Sequence, residues 1–283
     1  MTRRQFTAAL TSLVLPAPRV AAAATPNIAV LDWGWAESLL ALQIVPVAVA
    51  EAPLYSDRVV VPALPSDTID LGLRSWPNME LLRDLKPDLI LSQAGYGVSA
   101  SRLNEIAPTL ALPLYGPERQ PLLAAESALR QIAARSDRDA VAEDYLQRCH
   151  ARLDTIAHDA KAYDGRAVLI IKFADDRVID IYGSGGLFND VLKRIGILNA
   201  WDGPTNNWGF ATSGLQAIAR YPDARIVIIE PAPPGALLQS ALWRALPAVR
   251  AGHVTTIPPT WVFGAFPSAM RFAEVLKSGL GFA

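Results

Sequence analysis

Short β-rich runs, most of them wholly apolar, recur along this chain and alternate with segments of helical periodicity. They lie at 28–31, 45–49, 89–91 and 110–112 in the first half, and at 167–171, 226–229 and 254–257 in the second. A strand that is apolar on both faces is typical of a parallel sheet that helices cover on both sides. The pattern therefore predicts an α/β protein with mainly parallel sheets.

One succession of elements occurs twice, once in each half of the chain. Residues 81–90 run from the end of a helix through a Pro-Asp pair into a strand, and residues 215–227 repeat that order. The repetition predicts two lobes of related build, which we place at 25–118 and 164–283. A chance resemblance between common α/β elements is the alternative.

The most helical stretch lies between the two halves. Apolar residues recur there at spacings of three and four, which predicts one buried helix face made of Val141, Tyr145, Cys149, Leu153, Ile156 and Ala160. We expect a long helix within 138–163, in a helical linker that covers 119–163. Such a helix spans roughly 39 Å, long enough to join both lobes rigidly and to leave little scope for hinge closure.

The first 24 residues predict an export signal. A basic start with paired arginines precedes an apolar stretch at 6–15, and small residues follow at 21–24. The stretch is too short to span a bilayer, and the arginine pair resembles the twin-arginine export pattern. We therefore expect a signal peptide over 1–24 and a mature protein in the periplasm, with a poorly ordered N-terminal helix as the alternative.

Composition excludes several function classes. The 283 residues include 26 basic and 27 acidic residues, so there is no overall positive field for nucleic acid. One cysteine and three histidines provide neither a disulfide framework nor a multi-cysteine zinc site. The chain also lacks a Gly-x-Ser-x-Gly elbow and a phosphate loop ending in Gly-Lys-Ser/Thr. These observations predict no nucleic-acid partner and no resident metal, and they argue against an enzymatic activity.

Cationic and aromatic side chains follow the predicted strands. Arg74 comes after the strand-like segment 69–73, and Tyr96 after the strand at 89–93. Loops that follow parallel strands line the ligand crevice of such folds. A guanidinium and a phenol there would hold electron-rich oxygens, while tryptophans in turns would cover an apolar ligand body. The residues alone predict a cleft for a small ligand, with ordinary turn aromatics as the alternative.

A series of short motifs runs in order along the chain: Gly72-Leu73-Arg74, Ala94-Gly95-Tyr96-Gly97, Thr205-Asn206-Asn207-Trp208-Gly209 and Trp261-Val262-Phe263-Gly264-Ala265. These motifs resemble those of periplasmic ferric-hydroxamate siderophore-binding proteins, the hydroxamate branch of the helix-hinged binding proteins. The resemblance covers essentially the whole chain after the signal peptide. It implies capture of a ferric hydroxamate siderophore for an inner-membrane ABC permease.

The resemblance also implies which residues touch the ligand. Arg74 and Tyr96 would donate hydrogen bonds to the hydroxamate oxygens around the iron. Trp208 would pack on the ligand from the C-terminal lobe, and Asn206 would make a water-mediated contact nearby.

An aromatic wall completes the implied site, formed by Trp33, Trp261 and Phe263. Iron would arrive already chelated, so the protein would supply no metal ligand and would need no cofactor. The protein is expected to act as a monomer.

The chain departs from the family pattern at several positions. A tryptophan of the enteric relatives is replaced by Arg58, and the small residue after the Trp-Gly pair is Phe210. The family presents one carboxylate per lobe to its importer, whereas Ser101 and Gln216 stand at the aligned positions. Docking would then use other acids, such as Glu105.

Two other functions stay open. The ligand could be another iron or cobalt chelate, such as haem, cobalamin or a catecholate. A catecholate complex is more negative than a trihydroxamate and favours several converging cations, whereas Arg74 is the one clear cation of the predicted cleft. The other alternative is a periplasmic α/β enzyme.

Overall fold

Two five-stranded sheets, one in each half of the chain, frame the protein in a computed structural model that describes residues 26–232 and 235–282. The strands are β1 (Ile28–Val30), β2 (Ala48–Val49), β3 (Ile69–Asp70), β4 (Gly72–Leu73), β5 (Trp76–Pro77), β6 (Leu89–Gln93), β7 (Thr109–Leu112), β8 (Val168–Phe173), β9 (Val178–Tyr182), β10 (Phe210–Gly214), β11 (Arg225–Ile229) and β12 (Val254–Ile257). The predicted export signal at 1–24 lies outside the described residues.

The helices cover both sheets and connect them. They are α1 (Trp33–Ala41), α2 (Ala52–Arg58), α3 (Met79–Asp84), α4 (Ala100–Leu103), α5 (Pro121–Arg135), α6 (Asp139–Asp159), α7 (Leu187–Ile195), α8 (Gly235–Leu238), α9 (Ala241–Ala245), α10 (Pro247–Arg250) and α11 (Phe266–Leu280). Two 3-10 helices lie between these elements, Ala160–Ala162 after α6 and Leu215–Arg220 after β10. None of the helices in the described ranges is both long and apolar enough to cross a membrane.

The N-terminal sheet has the order β3-β2-β1-β6-β7, and every pairing in it is parallel. Its strand β1 is wholly buried, because helices cover both faces of the sheet. The chain moves to one side of β1 for β2 and returns to the other side for β6. That reversal opens a crevice at the carboxyl ends of β1 and β6.

The C-terminal sheet has the order β10-β9-β8-β11-β12 and is mixed. Strands β8, β11 and β12 are parallel, while β9 and β10 pair antiparallel. Strand β10 is not among the apolar runs that the sequence analysis identifies as strands, because this edge strand is only half-buried and carries polar residues. The predicted class, two α/β lobes with mainly parallel sheets, is confirmed; the lobe boundaries at 118 and 164 remain a prediction.

Helix α6 joins the two hydrophobic cores. It lies within the predicted range 138–163, and its buried face enters both lobes: Ala142, Leu146 and Cys149 belong to the N-terminal core cluster, and Leu153 and Ile156 to the C-terminal one. A single rigid element therefore fixes the separation of the lobes.

The predicted face of this helix is partly wrong. Val141 and Tyr145 are only half-buried, whereas Ala142 and Leu146 are fully covered. The face is rotated because α6 does not stand alone. Helix α5 packs beside it and contributes Leu129 and Ile132 to the same core, so the linker is a pair of helices.

Candidate ligand-binding site

A cleft of about 360 Å³ opens at the crevice of the N-terminal sheet and is closed on its far side by loops of the C-terminal half. Its lining combines one cation, one carboxylate and a majority of aromatic or amide side chains: Asp32, Arg74, Gln93, Tyr96, Trp208, Phe210, Trp261 and Phe263. A volume of this size, mostly apolar with a few polar groups, is typical of a small-molecule site.

Arg74 is held along one edge of its guanidinium. It lies in the hairpin formed by β4 and β5. Its Nε donates a 2.8 Å hydrogen bond to Oε2 of Glu51, and its backbone N–H donates to Oε1 over 3.4 Å. Oδ2 of Asp32 lies 3.8 Å from Nη1. Neither Nη1 nor Nη2 donates a hydrogen bond to any of the described residues, so both remain available to a ligand.

Two indole rings flank the Arg74 guanidinium. Its Cζ lies 4.0 Å from the ring centroid of Trp33 and 5.0 Å from that of Trp261, distances at which cation–π attraction acts. The prediction that Trp33 faces the ligand needs correction. Its side chain is 2% exposed, and its Nε1 donates to the carbonyl of Ala50, because the first position of α1 points into the core. Trp33 lies behind the arginine, and Trp261 lines the cleft.

Asp32 brings a buried carboxylate to the cleft. As the N-cap of α1, its Oδ1 accepts a 2.9 Å hydrogen bond from the N–H of Gly34. Burial raises the pKa of Asp32, while the Arg74 charge and the Gly34 N–H oppose that rise. The charge of Arg74 therefore favours the ionised form of the Asp32 carboxyl.

Tyr96 stands next to Arg74 because of a close backbone approach. It lies in the loop after β6, where Gly97 has a φ of +69°. A Cβ on Gly97 would lie 2.9 Å from the carbonyl oxygen of Arg74, so this loop can press against the hairpin only with glycine there. The Tyr96 ring meets Trp208 edge to face, with centroids 6.1 Å apart.

The loop that carries Trp208 is shaped by Asn206. Oδ1 of Asn206 accepts hydrogen bonds from the N–H groups of Trp208, at 2.9 Å, and Phe210, at 3.3 Å. Gly209 follows with a φ of +78°, and a Cβ there would lie 2.1 Å from Gly186. Asn206 is absent from the described lining of the cleft and positions Trp208 from beside it, and its water-mediated contact with the ligand stays a prediction.

Arg119 ties this loop to the segment before α5. Its Nη2 donates to the carbonyl of Ser184 over 2.6 Å and to Oγ1 of Thr205 over 2.5 Å, and its Nη1 donates to the carbonyl of Asn206 over 3.2 Å. The turn at 183–186, which joins β9 to α7, is therefore occupied by a side chain of the protein.

A group of aromatic side chains forms one wall of the cleft. The ring centroid of Trp208 lies 5.1 Å from that of Tyr115 and 5.5 Å from that of Phe263, and Phe210 lies 5.7 Å from Phe263. Tyr115 supports the wall from behind: its hydroxyl donates to the carbonyl of Val262 over 3.3 Å, and burial raises its pKa. The wall offers a large apolar surface to a ligand body.

The structure brings five of the seven predicted site residues to one cleft: Arg74, Tyr96, Trp208, Trp261 and Phe263. Sequence reasoning missed Asp32 and Gln93 as site residues. Each stands at the carboxyl end of a buried strand on either side of the sheet reversal, and that position is the signal that would have found both.

Arg58 lies in another cavity. With Lys172 and Thr260 it lines a space of about 350 Å³ beside Pro259. The described residues contain no group of three or more His, Cys, Asp or Glu side chains placed to hold a metal ion.

Known proteins share both sequence and fold with this chain. A model of the periplasmic binding protein family matches residues 28–260. The iron(3+)-hydroxamate-binding protein FhuD of Escherichia coli (strain K12) is 36% identical over 265 residues, 92% of this chain and 89% of that protein.

Solved structures agree with these matches. The Fe3+–Desferal-bound siderophore-binding protein FhuD from Vibrio cholerae has a TM-score of 0.86 at 29% identity, covering 91% of this chain and 98% of that one. The petrobactin-binding protein YclQ from Bacillus subtilis has a TM-score of 0.75 at 18% identity, covering 90% and 92%. The second likeness shows the fold alone.

Proposed function

The chain belongs to the periplasmic binding protein family, and on that premise we propose that it captures ferric hydroxamate siderophores and delivers them to an inner-membrane ABC permease. The family and the relatives named above support a substrate-binding component of an ABC transporter. The observation that carries the ligand class is that Arg74 and Tyr96 line the same cleft as a group of aromatic side chains.

Hydroxamate chemistry fits these donors. The oxygens of a chelated hydroxamate remain electron-rich and lie at the surface of the iron complex. Nη1 and Nη2 of Arg74 form a planar fork that donates to two such oxygens, and the Tyr96 hydroxyl donates to a third. Glu51 fixes the fork, so little side-chain entropy is lost when the ligand binds.

The organic part of the siderophore contacts the aromatic wall. Trp208, Phe210 and Phe263 line the cleft and pack against one another. Rings of this kind hold an aliphatic chain without directional bonds, so one wall accepts siderophores with different backbones. Iron is the cargo and stays within its chelate.

A binding role is also favoured over catalysis. The described lining of the cleft contains no Ser, Cys, His or Lys that could pair as nucleophile and base.

We further propose that the protein is exported through the signal peptide at 1–24, acts as a monomer in the periplasm, and docks on its permease through acids other than the family pair. Ser101 and Gln216 are exposed and uncharged, and Glu105 is an exposed acid near Ser101.

Titration of tryptophan fluorescence tests the ligand class. Ferrichrome and ferrioxamine B should quench the emission saturably, because Trp208 and Trp261 line the cleft. Haem and cobalamin should bind much more weakly, and iron-free desferrioxamine is the control for the chelated centre. Tight binding of haem or cobalamin without a response to ferric hydroxamates would contradict the proposal.

A further inference from the structure

The C-terminal sheet has a crevice of its own. The chain moves to one side of β8 for β9 and β10 and returns to the other side for β11, which is the reversal that opens the cleft in the N-terminal sheet. Strands β8, β11 and β12 are parallel, so their carboxyl ends meet at one edge. Ligands of such sheets bind outside the carboxyl ends of the strands on either side of the reversal.

The space beside Arg58 lies at this edge, and we call it the second cavity. Lys172 is the last residue but one of β8, Glu230 follows β11 directly, and Thr260 comes shortly after β12. Helix α2 covers the space from the N-terminal half through Asp57 and Arg58. The second cavity therefore lies where the two halves meet, and it shares no described lining residue with the cleft.

Two cations line the second cavity without an ion pair. No carboxylate oxygen of the described residues lies within 4.0 Å of the charged nitrogens of Arg58 or Lys172. Burial lowers the pKa of Lys172, and the charge of Arg58 lowers it further. The two cations thus repel each other across a space that is partly shielded from water. An anion bound between them would relieve that repulsion.

The rest of the lining suits an organic acid. Thr260 is 1% exposed, and its hydroxyl has no hydrogen-bond partner among the described residues, which is uncommon for a buried hydroxyl. Asp57 and Glu230 can accept a hydrogen bond from a hydroxyl group of a ligand, and Leu54 and Pro231 can contact its carbon atoms. The volume, about 350 Å³, falls in the range of sites for small organic molecules.

We propose that the second cavity binds a small organic anion that carries two carboxylates and a hydroxyl group, and that this anion joins the two halves of the protein. Arg58 holds one carboxylate from the N-terminal half and Lys172 holds the other from the C-terminal half. The hydroxyl donates to Asp57 or Glu230. This site goes beyond the proposed function, because it requires neither iron nor a siderophore.

Two variants remove the cations one at a time. Arg58→Gln and Lys172→Gln each delete one positive charge and keep a long polar side chain. Arg58 is exposed at the end of α2, so its variant keeps the proposal testable if Lys172→Gln folds poorly. The matched controls are Arg83→Gln and Lys161→Gln, which remove exposed cations away from the second cavity.

Isothermal titration with L-malate, succinate, acetate and inorganic phosphate measures the binding. L-malate should bind saturably at one site, and each of the other three about tenfold more weakly or worse, because each lacks a carboxylate, the hydroxyl or the carbon skeleton. Arg58→Gln and Lys172→Gln should each weaken L-malate binding by about tenfold or more, while both controls bind like wild type. L-malate should also raise the thermal unfolding temperature of wild type and controls more than that of the two variants.

A titration in the presence of saturating ferrioxamine B separates the second cavity from the cleft, since L-malate should bind with the same affinity. Loss of L-malate binding under that condition would place the anion in the cleft and overturn the proposal. Absence of saturable L-malate binding, or equal affinity in wild type and both variants, would also overturn it. Equal affinity for phosphate or acetate would reduce the second cavity to an unspecific anion site, and equal affinity for succinate would remove the hydroxyl from the account.

Discussion

Oε2 of Glu37, on helix α1, accepts a 2.6 Å hydrogen bond from the hydroxyl of Ser268, on helix α11. Oε1 of the same carboxyl accepts from the N–H groups of Ala265, at 2.6 Å, and Ser268, at 3.3 Å. Glu37 is fully buried, and burial raises its pKa to about 8 despite these donors. These three hydrogen bonds join the first helix of the described chain to the start of the last, just beyond the loop that carries Trp261.

This contact predicts how stability depends on pH. The pKa of Glu37 is near 4.5 when the chain is unfolded and about 8 when it is folded, so between these values the folded state binds more protons. The free energy of unfolding should then fall as pH rises through this window, by at most about 1.4 kcal/mol per pH unit. Glu37→Gln cannot ionise and should show a flatter profile. Urea unfolding of both proteins across the window measures the difference, and identical slopes would contradict the prediction.

The hydrogen bonds of Arg119 predict that this residue affects ligand binding by positioning the loop that carries Trp208. Its guanidinium holds the carbonyls of Ser184 and Asn206, and through them the loop that carries Trp208. Arg119→Ala should release this loop and weaken siderophore binding by about tenfold, mainly through faster dissociation. Stopped-flow fluorescence measures both rate constants.

The matched control for Arg119 is Arg177→Ala, which removes an arginine whose side chain is 87% exposed. It should leave both rate constants unchanged. If Arg119→Ala also binds like wild type, the loop is held in place without that arginine.

Tyr96 and Trp208 should respond differently to substitution. Tyr96→Phe removes one hydroxyl donor and keeps the ring, so the loss should be about 0.5–1.5 kcal/mol of binding free energy. Trp208→Ala removes apolar contact, and its effect should depend less on the charge of the ligand. Isothermal titration with ferrioxamine B and its N-acetyl derivative measures both effects, with Tyr221→Phe as a control on the hydroxyl that bonds Asp202. A loss from Tyr96→Phe no larger than that of the control would remove Tyr96 from the site.

The position of helix α6 in both cores predicts that the two lobes move little against each other when the ligand binds. Because its buried face belongs to both cores, rotation of one lobe against the other would break packed contacts at Cys149 or Leu153. Small-angle scattering should give the same radius of gyration with and without ferrioxamine B, within error. A clear contraction on binding would show that the linker bends.

The sequence was sufficient for the main architecture and for part of the site. Arg74 and Tyr96 could be placed because each follows a strand, and parallel strands bring such loops to one edge. Apolar periodicity also located helix α6, although it could not determine that α5 would rotate the buried face toward Ala142 and Leu146.

The features of the site that the sequence did not predict depend on contacts between segments that are distant along the chain. Arg119 meets its partners across 65 to 87 residues of chain, and no local pattern encodes such a pairing. The family resemblance predicts that Trp33 faces the ligand, but its position in α1 turns the ring into the core behind Arg74. The balance of Arg74 by Asp32 and Glu51 likewise emerges only when three separate loops meet.

The most direct test of the account is the affinity of Arg74→Ala for ferrioxamine B. A hydrogen bond to a charged group contributes on the order of 1.5–3 kcal/mol, so this variant should bind roughly 10- to 150-fold more weakly than wild type. Arg83→Ala, on the exposed side of α3, is the control and should bind normally. If Arg74→Ala binds ferrioxamine B as tightly as wild type does, the iron-hydroxamate centre is not held at this cleft.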